Sequence, residues 1–267
     1  MKMYQVDAFT RNLFQGNPAA VLITPEWLDE SLMQNIAMEN NLSETAFVKI
    51  IDAENYAIRW FTPTNEVDFC GHATLASSFV LFQDYTTVSQ IHFHVADLGV
   101  FHITQVQDGK IQMNFPVRMP YRVEDYPKAL TQALGLDHLV EVYTNSQAFI
   151  VLCEDAETVE QLQPDMRLIE QIGQDYARSV AVTAPGRAAY DCVSRYFAPH
   201  QGIPEDPVTG SLHTGIAALW AEKLQKPRIL AYQASKRGGE LECCLQADGR
   251  IEISGYAKMY MRAELLL

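Results

Sequence analysis

The sequence predicts a mixed α and β fold built from two copies of one unit. Three matches carry that prediction. The string RWFTP at 59–63 returns as RYFAP at 195–199. Gly71, which opens a run of small residues, returns as Gly210, and the Asp108-Gly109 turn returns as Asp248-Gly249. The spacings are 136, 139 and 140 residues, so one alignment with small insertions holds all three. Self-similarity in constant order marks a supersecondary unit used more than once.

The elements follow from periodicity. KMYQVDAF (2–9) and PAAVLI (18–23) read as strands. Leu28, Leu32, Met33, Ile36 and Ala37 fall on one helical face, and the Asn pair at 40 and 41 ends that helix. TAFVKI (45–50) and YAIRWF (56–61) are strands, and HATLASSFVLF (72–82) suits a buried helix. Strands then flank the Asp108-Gly109 hairpin turn. Three prolines in 115–127 interrupt the pattern, and this stretch reads as a linker. Beyond it come a strand at FIVLCE (149–154), a helix near 164–173, and strands at SVAVTA (179–184) and YDCVSRYFA (190–198). A helix near 211–224 and a second hairpin complete the pattern.

Composition narrows the function. Of 267 residues, 48% are apolar and 20% are charged, as in an ordinary globular protein. The net charge of −13 argues against a nucleic-acid partner, which needs a basic surface. No apolar run reaches the roughly 18 residues of a membrane span, and Met1 to Thr10 lacks the layout of a signal peptide. Five cysteines, an odd number with no zinc-motif spacing, read as free thiols in a reducing cytoplasm.

Three stretches offer chemistry, each with a structural alternative. In FCGHATLAS (69–77), Cys70, Gly71 and His72 precede a helix. Cys70 serves equally as a small hydrophobe. In EDPVTGS (205–211), Gly210 and Ser211 open another helix, and Asp206 is either a turn residue or an acceptor aimed at a ligand. Helix starts present free N–H groups, so two of them facing each other across the duplication would cradle a carboxylate. In ENNLSETAFV (39–48), Glu44 is either a solvated loop acid or a base buried beside Leu42 and Phe47. If SVAVTA copies TAFVKI, Arg178 stands near the place of Glu44 in the second half.

Together these strings resemble the phenazine-biosynthesis PhzF-like isomerases. The resemblance covers VDAFT (6–10), GNPAAV (16–21), NLSETAFV (41–48), RWFTPTNEVDFCGHATLA (59–76), SRYFAPHQGIPEDPVTGSLH (194–213) and QASKRGG (233–239). It implies a diaminopimelate epimerase-like α+β fold of two pseudo-symmetric domains. Each would be a barrel-like, mostly antiparallel sheet around a central helix, with the active site in the cleft between them. The domains would span 1–118 and 119–267, the last strand being free to return to the first.

The resemblance also implies a proton-shifting isomerase that uses neither cofactor nor metal. It acts on a small carboxylate-bearing metabolite, in a homodimer. Glu44 is the general acid and base, and His72 and Asp206 position substrate. Gly71, Gly210, Ser211 and Asn17 bind it. The related epimerases use two cysteines. Here Cys70 holds the first position and Thr209 the second, which leaves a Cys70-centred epimerase, racemase or dehydratase as an alternative. A non-catalytic ligand-binding protein on the same fold is another.

Overall fold

The structure, a computed structural model, describes residues 1–96 and 98–267. The chain divides into two compact units, Met1–Phe115 together with Glu252–Leu267, and Pro116–Ile251. Among the described residues no helix is long and apolar enough to cross a membrane.

In the first unit the order is β1 (Lys2–Ala8), β2 (Asn17–Thr24), α1 (Glu30–Asn40), β3 (Glu44–Ile50), β4 (Asn55–Phe61) and β5 (Glu66–Val67). Then come α2 (Gly71–Asp84), β6 (Gln90–Val95), β7 (Gly99–Gln105) and β8 (Ile111–Pro116). In the second the order is β9 (Tyr121–Val123), α3 (Leu130–Leu134), β10 (Glu141–Thr144), β11 (Ala148–Leu152), α4 (Ala156–Gln161), α5 (Met166–Tyr176) and β12 (Ser179–Pro185). β13 (Cys192–Phe197), α6 (Gly210–Leu224), β14 (Arg228–Gln233) and β15 (Gly239–Leu245) follow, and β16 (Arg250–Gly255) returns the chain to the first unit, to which its residues from Glu252 on belong. The last strand, β17 (Ala257–Glu264), runs antiparallel to β1.

The pairings repeat from unit to unit. β1–β2 and β10–β11 are antiparallel, β2–β3 and β11–β12 parallel, and β3–β4 and β12–β13 antiparallel. β4–β6 and β13–β14 are then parallel, and β6–β7 and β14–β15 antiparallel. The duplication therefore extends to strand direction. Each unit is a mostly antiparallel curved sheet around one helix. α2 packs on β1, β2, β3 and β17, and α6 on β14 and β15. Both helices are buried along nearly their whole length, which explains their small, apolar sequences.

A second apolar layer lies outside the first sheet. Met33, Ile36 and Ala37 of α1 pack with Ala20, Leu22, Phe47 and Phe61. Strands β2 and β3 thus bury both faces, and they read as continuous apolar runs rather than as alternation. The αL conformation of Asn41 (φ 48°) closes α1, as the Asn pair predicts. The stretch 115–127 differs from its reading as a linker: Tyr121–Val123 forms β9 and pairs with β10. Its prolines sit outside the paired residues, so periodicity hides a short strand.

Gly16 turns the chain into β2 with φ +67°. A Cβ there would lie 2.1 Å from the Ala8 carbonyl oxygen. Only glycine fits both the angle and the space. Gly16→Ala is expected to destabilise the protein by about 2 kcal/mol or more, read as a lowered midpoint in chemical denaturation. An unchanged midpoint would show that the turn relaxes freely.

Candidate functional site

Strand parity decides what Glu44 faces. Side chains alternate across a strand, so Glu44, Ala46 and Val48 share one face of β3 and Phe47 takes the other. Phe47 packs on α1. Glu44 therefore does not sit beside Leu42 and Phe47, as its sequence neighbours suggest; both belong to the outer layer. It points instead to the start of α2. Ala19 of β2 lies opposite Glu44, so Asn17, two residues earlier, is on the same face.

There His72 is ringed by polar groups. Glu44 Oε2 is 3.1 Å from His72 Nε2. Asn17 Nδ2 is 3.0 Å from His72 Nδ1, and Cys70 Sγ is 3.4 Å from the same nitrogen. All four residues are buried; Glu44 retains 9% of its surface and His72 4%. Asn17 Nδ2 donates to Nδ1 only while the ring is neutral; in the protonated ring both nitrogens donate, to Glu44 from Nε2 and to the Asn17 amide oxygen from Nδ1. Beyond this close contact with His72, Glu44 Oε2 has no hydrogen-bond partner among the described residues.

Burial and charge oppose each other at this cluster. Burial disfavours the His72 imidazolium, but the charges of Cys70 and Glu44 outweigh it and raise the ring well above its ordinary pKa. Burial first, and Glu44 second, push the Cys70 thiol up to about 11. Cys70 and Glu44 thus compete for the one positive charge of His72.

In the second unit the register places Ser179, not Arg178, at the position of Glu44. Ala19 opposes Glu44 and Ala148 opposes Ser179; Thr45 opposes Phe61 and Val180 opposes Phe197. A shift of one residue would send the side chain to the other face. Cys70 and Thr209 are both helix N-cap residues, and neither caps with its side chain. Both N-cap carbonyls are held from four residues on. Thr74 Oγ1 donates to Cys70 O (2.6 Å), and His213 Nδ1 donates to Thr209 O (2.8 Å).

Asp206 sits in a buried turn whose backbone is fixed on both sides. Its N–H donates to Tyr196 O (3.0 Å), and its carbonyl accepts from Gln233 Nε2 (2.7 Å). The Thr209 hydroxyl donates to Asp206 Oδ2. Gln233 Oε1 also accepts from Thr209 N–H (2.8 Å), and Gln147 Nε2 donates to Ser211 Oγ (2.9 Å).

The structure thus gathers Asn17, Glu44, Cys70 and His72 in the first unit. In the second it gathers Asp206 and Ser211 around the start of α6, whose first residue is Gly210.

A profile of phenazine biosynthesis-like proteins matches residues 6–263. The chain belongs to the phenazine biosynthesis-like family. It is 42% identical over 268 residues to an uncharacterized isomerase of Halalkalibacterium halodurans, covering 99% of this chain and 98% of that one. The crystal structure of a PhzF-family phenazine biosynthesis protein from Enterococcus faecalis aligns with a TM-score of 0.92 at 40% identity, covering 100% of this chain and 99% of that one. A probable proline racemase of Agrobacterium radiobacter shares the fold, with a TM-score of 0.67 at 12% identity, covering 100% and 93%. Membership in the phenazine biosynthesis-like family and an epimerase-type fold therefore rest on both sequence and structure.

Sequence reasoning gave no role to several residues that position the two sets. Gln233 and Ser235 belong to the family string QASKRGG. Gln233 spans Asp206 and Thr209, and Ser235 Oγ donates to Pro207 O (2.8 Å). Arg59 Nε donates to Glu66 Oε1 (2.6 Å) and Arg195 Nε to Glu205 Oε1 (2.7 Å). These arginines open the repeated RWFTP and RYFAP strings. The repeat was the available signal: an arginine at equivalent strand positions, each followed by a glutamate before a helix.

His213 supplies a pH test of the second helix start. Its Nδ1–H is committed to a carbonyl, and Nε2 accepts from Ser194 Oγ (3.2 Å). Burial pushes its pKa down to about 4. The unfolded chain takes up a proton near 6.5 while the folded one does not. Stability is therefore full above about pH 6.5 and is lost as the pH falls toward 4, by up to roughly 3 kcal/mol. Urea unfolding at pH 7.5 and pH 5 should show this drop, and His213→Gln should lose much of it. An equal drop in the variant would assign the acid sensitivity elsewhere.

Proposed function

We propose that this chain is an isomerase that shifts a proton on a small carboxylate-bearing metabolite, with Glu44 as the acid and base. The observation that carries this reading is the buried carboxylate of Glu44. Apart from the contact of Oε2 with His72 Nε2, no described residue hydrogen-bonds to that oxygen, which leaves it acceptor capacity for a substrate proton. A base must keep a lone pair for the substrate proton. His72 at 3.1 Å balances the charge and fixes the carboxylate. Asn17 in turn holds the ring.

Glu44 removes a proton from an activated carbon and returns it elsewhere on the same molecule. His72 and, by the family pattern, Asp206 orient the substrate. Gly71, Gly210 and Ser211 offer N–H donors from two helix starts, the groups that suit a carboxylate. The relative from H. halodurans is named an isomerase, which supports this class of reaction.

The Cys70-centred alternative is weaker on two counts. The thiol is pushed up to about 11 by burial, and the equivalent N-cap position holds Thr209 rather than a second thiol.

A thermal-shift screen of small carboxylates with an activated C–H supplies a ligand for the test. Hydrogen exchange into that ligand is then followed in D₂O by NMR. Glu44→Gln should slow exchange by about 10²–10⁴-fold while binding persists. Cys70→Ala should slow it by less than about tenfold, since a side chain that moves no proton lacks that factor. The reverse pattern would transfer the chemistry to the thiol. A ligand that binds without any exchange would identify a binding protein.

A further inference from the structure

The outer face of the β6–β7 pair carries three of the chain's seven histidines. In β6, Ile91, Phe93 and Val95 are buried, and His92 and His94 point the other way. In β7, Ile103 is buried and His102 is exposed. The antiparallel register sets His92 directly opposite His102, with Phe93 opposite Phe101 on the reverse face. The two imidazoles meet edge to face, with ring centroids 4.8 Å apart and Nδ1 atoms 2.8 Å apart. Phe101, on the reverse face, packs against Phe69 beside Cys70. The histidine pair thus shares no residue with the set around His72.

A bond between two ring nitrogens needs one N–H and one lone pair, so at least one of these rings is neutral. In water such a bond contributes little net stability, and it does not by itself account for two histidines set opposite one another. The spacing suits a metal ion. Two nitrogens bonded to one cation at about 2.0 Å and at a right angle lie roughly 2.8 Å apart, whereas tetrahedral ligands lie roughly 3.3 Å apart. The separation of 2.8 Å matches the right angle. Tetragonal coordination by imidazole is the preference of Cu²⁺ and Ni²⁺, and Mg²⁺ and Ca²⁺ take oxygen ligands instead. The cation lies off the line between the nitrogens, so each ring turns about its side-chain bonds, which surface side chains do readily. The ring that donates through Nδ1 takes its Nε2–H tautomer, which frees the second lone pair. His94 is engaged elsewhere: its Nε2 donates to Asn55 Oδ1 (3.0 Å), and Asn55 Nδ2 donates to Asp52.

We propose that His92 and His102 form a two-histidine site for a Cu²⁺- or Ni²⁺-class cation, with water in the remaining positions. The paired strands fix the spacing of the two ligands before the ion arrives. One ligand comes from each strand, so the bound ion clips β6 to β7. The net charge of −13 favours cations near this surface.

The test uses the full chain, stripped with chelator, and Ni²⁺, which does not oxidise thiols as Cu²⁺ does. Calorimetry should show one saturable site, and NMR should show paramagnetically shifted imidazole protons. His92→Ala and His102→Ala should each weaken binding by roughly tenfold or more, since a single imidazole remains. His138→Ala removes another exposed histidine and should leave binding unchanged. Ni²⁺ should also raise the chemical-denaturation midpoint of the unmodified chain but of neither paired variant, because only the folded strands bring both rings together. Circular dichroism checks that each variant is folded. The absence of saturable Ni²⁺ binding in the unmodified chain would overturn the proposal. So would binding that survives in both His92→Ala and His102→Ala, or that is lost in Cys70→Ala, which would place the ion at the thiol. These readouts need no substrate, so the site stands or falls separately from the assignment of Glu44 as base.

Discussion

A helix that begins inside a closed sheet has its first N–H groups in the interior, where water cannot satisfy them. Both α2 and α6 begin this way, and the rest of each unit is arranged around that constraint. Neither N-cap side chain answers those groups. What is fixed instead is the N-cap carbonyl, held by Thr74 in one unit and His213 in the other. The bond sets the backbone of Cys70–His72 and of Thr209–Ser211 while leaving the leading N–H groups pointed outward from the helix. Such a terminus is a place for an anion.

The two copies then diverge in what they hang on this frame. The first carries Glu44, Cys70 and His72, all titratable. The equivalent positions in the second carry Ser179, Thr209 and Ser211, none of which titrates near neutrality. The second copy compensates with hydrogen bonds: Gln233 fixes the turn at Asp206, and Gln147 holds Ser211. Buried polar networks of this kind are rigid when every member is satisfied. Divergence after duplication has left titratable side chains at these three positions of the first unit and neutral hydrogen-bonding ones at the equivalent positions of the second.

Much of this was legible in the sequence because it depends on local rules. Apolar spacing announced α1, α2 and α6, the Asn pair announced the end of α1, and the Asp-Gly pairs announced the hairpins. The family strings announced Glu44, His72 and Asp206. Other features depend on partners far apart in the chain. The surroundings of Glu44 were misread from its sequence neighbours, although period-two parity already separates it from Phe47. The sequence match puts Arg178 only near the place of Glu44, and pairing register assigns that place to Ser179. The short β9 was hidden by prolines that flank it. The Arg59–Glu66 and Arg195–Glu205 pairs and the reach of Gln233 require knowing which strands lie together.

The groups around His72 also bear on which of two bases the proposed reaction uses. Carboxylate and thiol share one buried imidazole, and the negative charge of either disfavours ionisation of the other. Glu44 already contributes to pushing Cys70 up to about 11. A thiol with that pKa is ionised in only about one molecule in 10⁴ at pH 7. Making it the working base would require His72 to shift its charge toward Sγ and Glu44 to give up its own. The ordinary order of acidity runs the other way, with a carboxyl group several units below a thiol. One positive charge on His72 favours a single anion beside it, which supports the carboxylate rather than the thiol as the base of the proposed reaction.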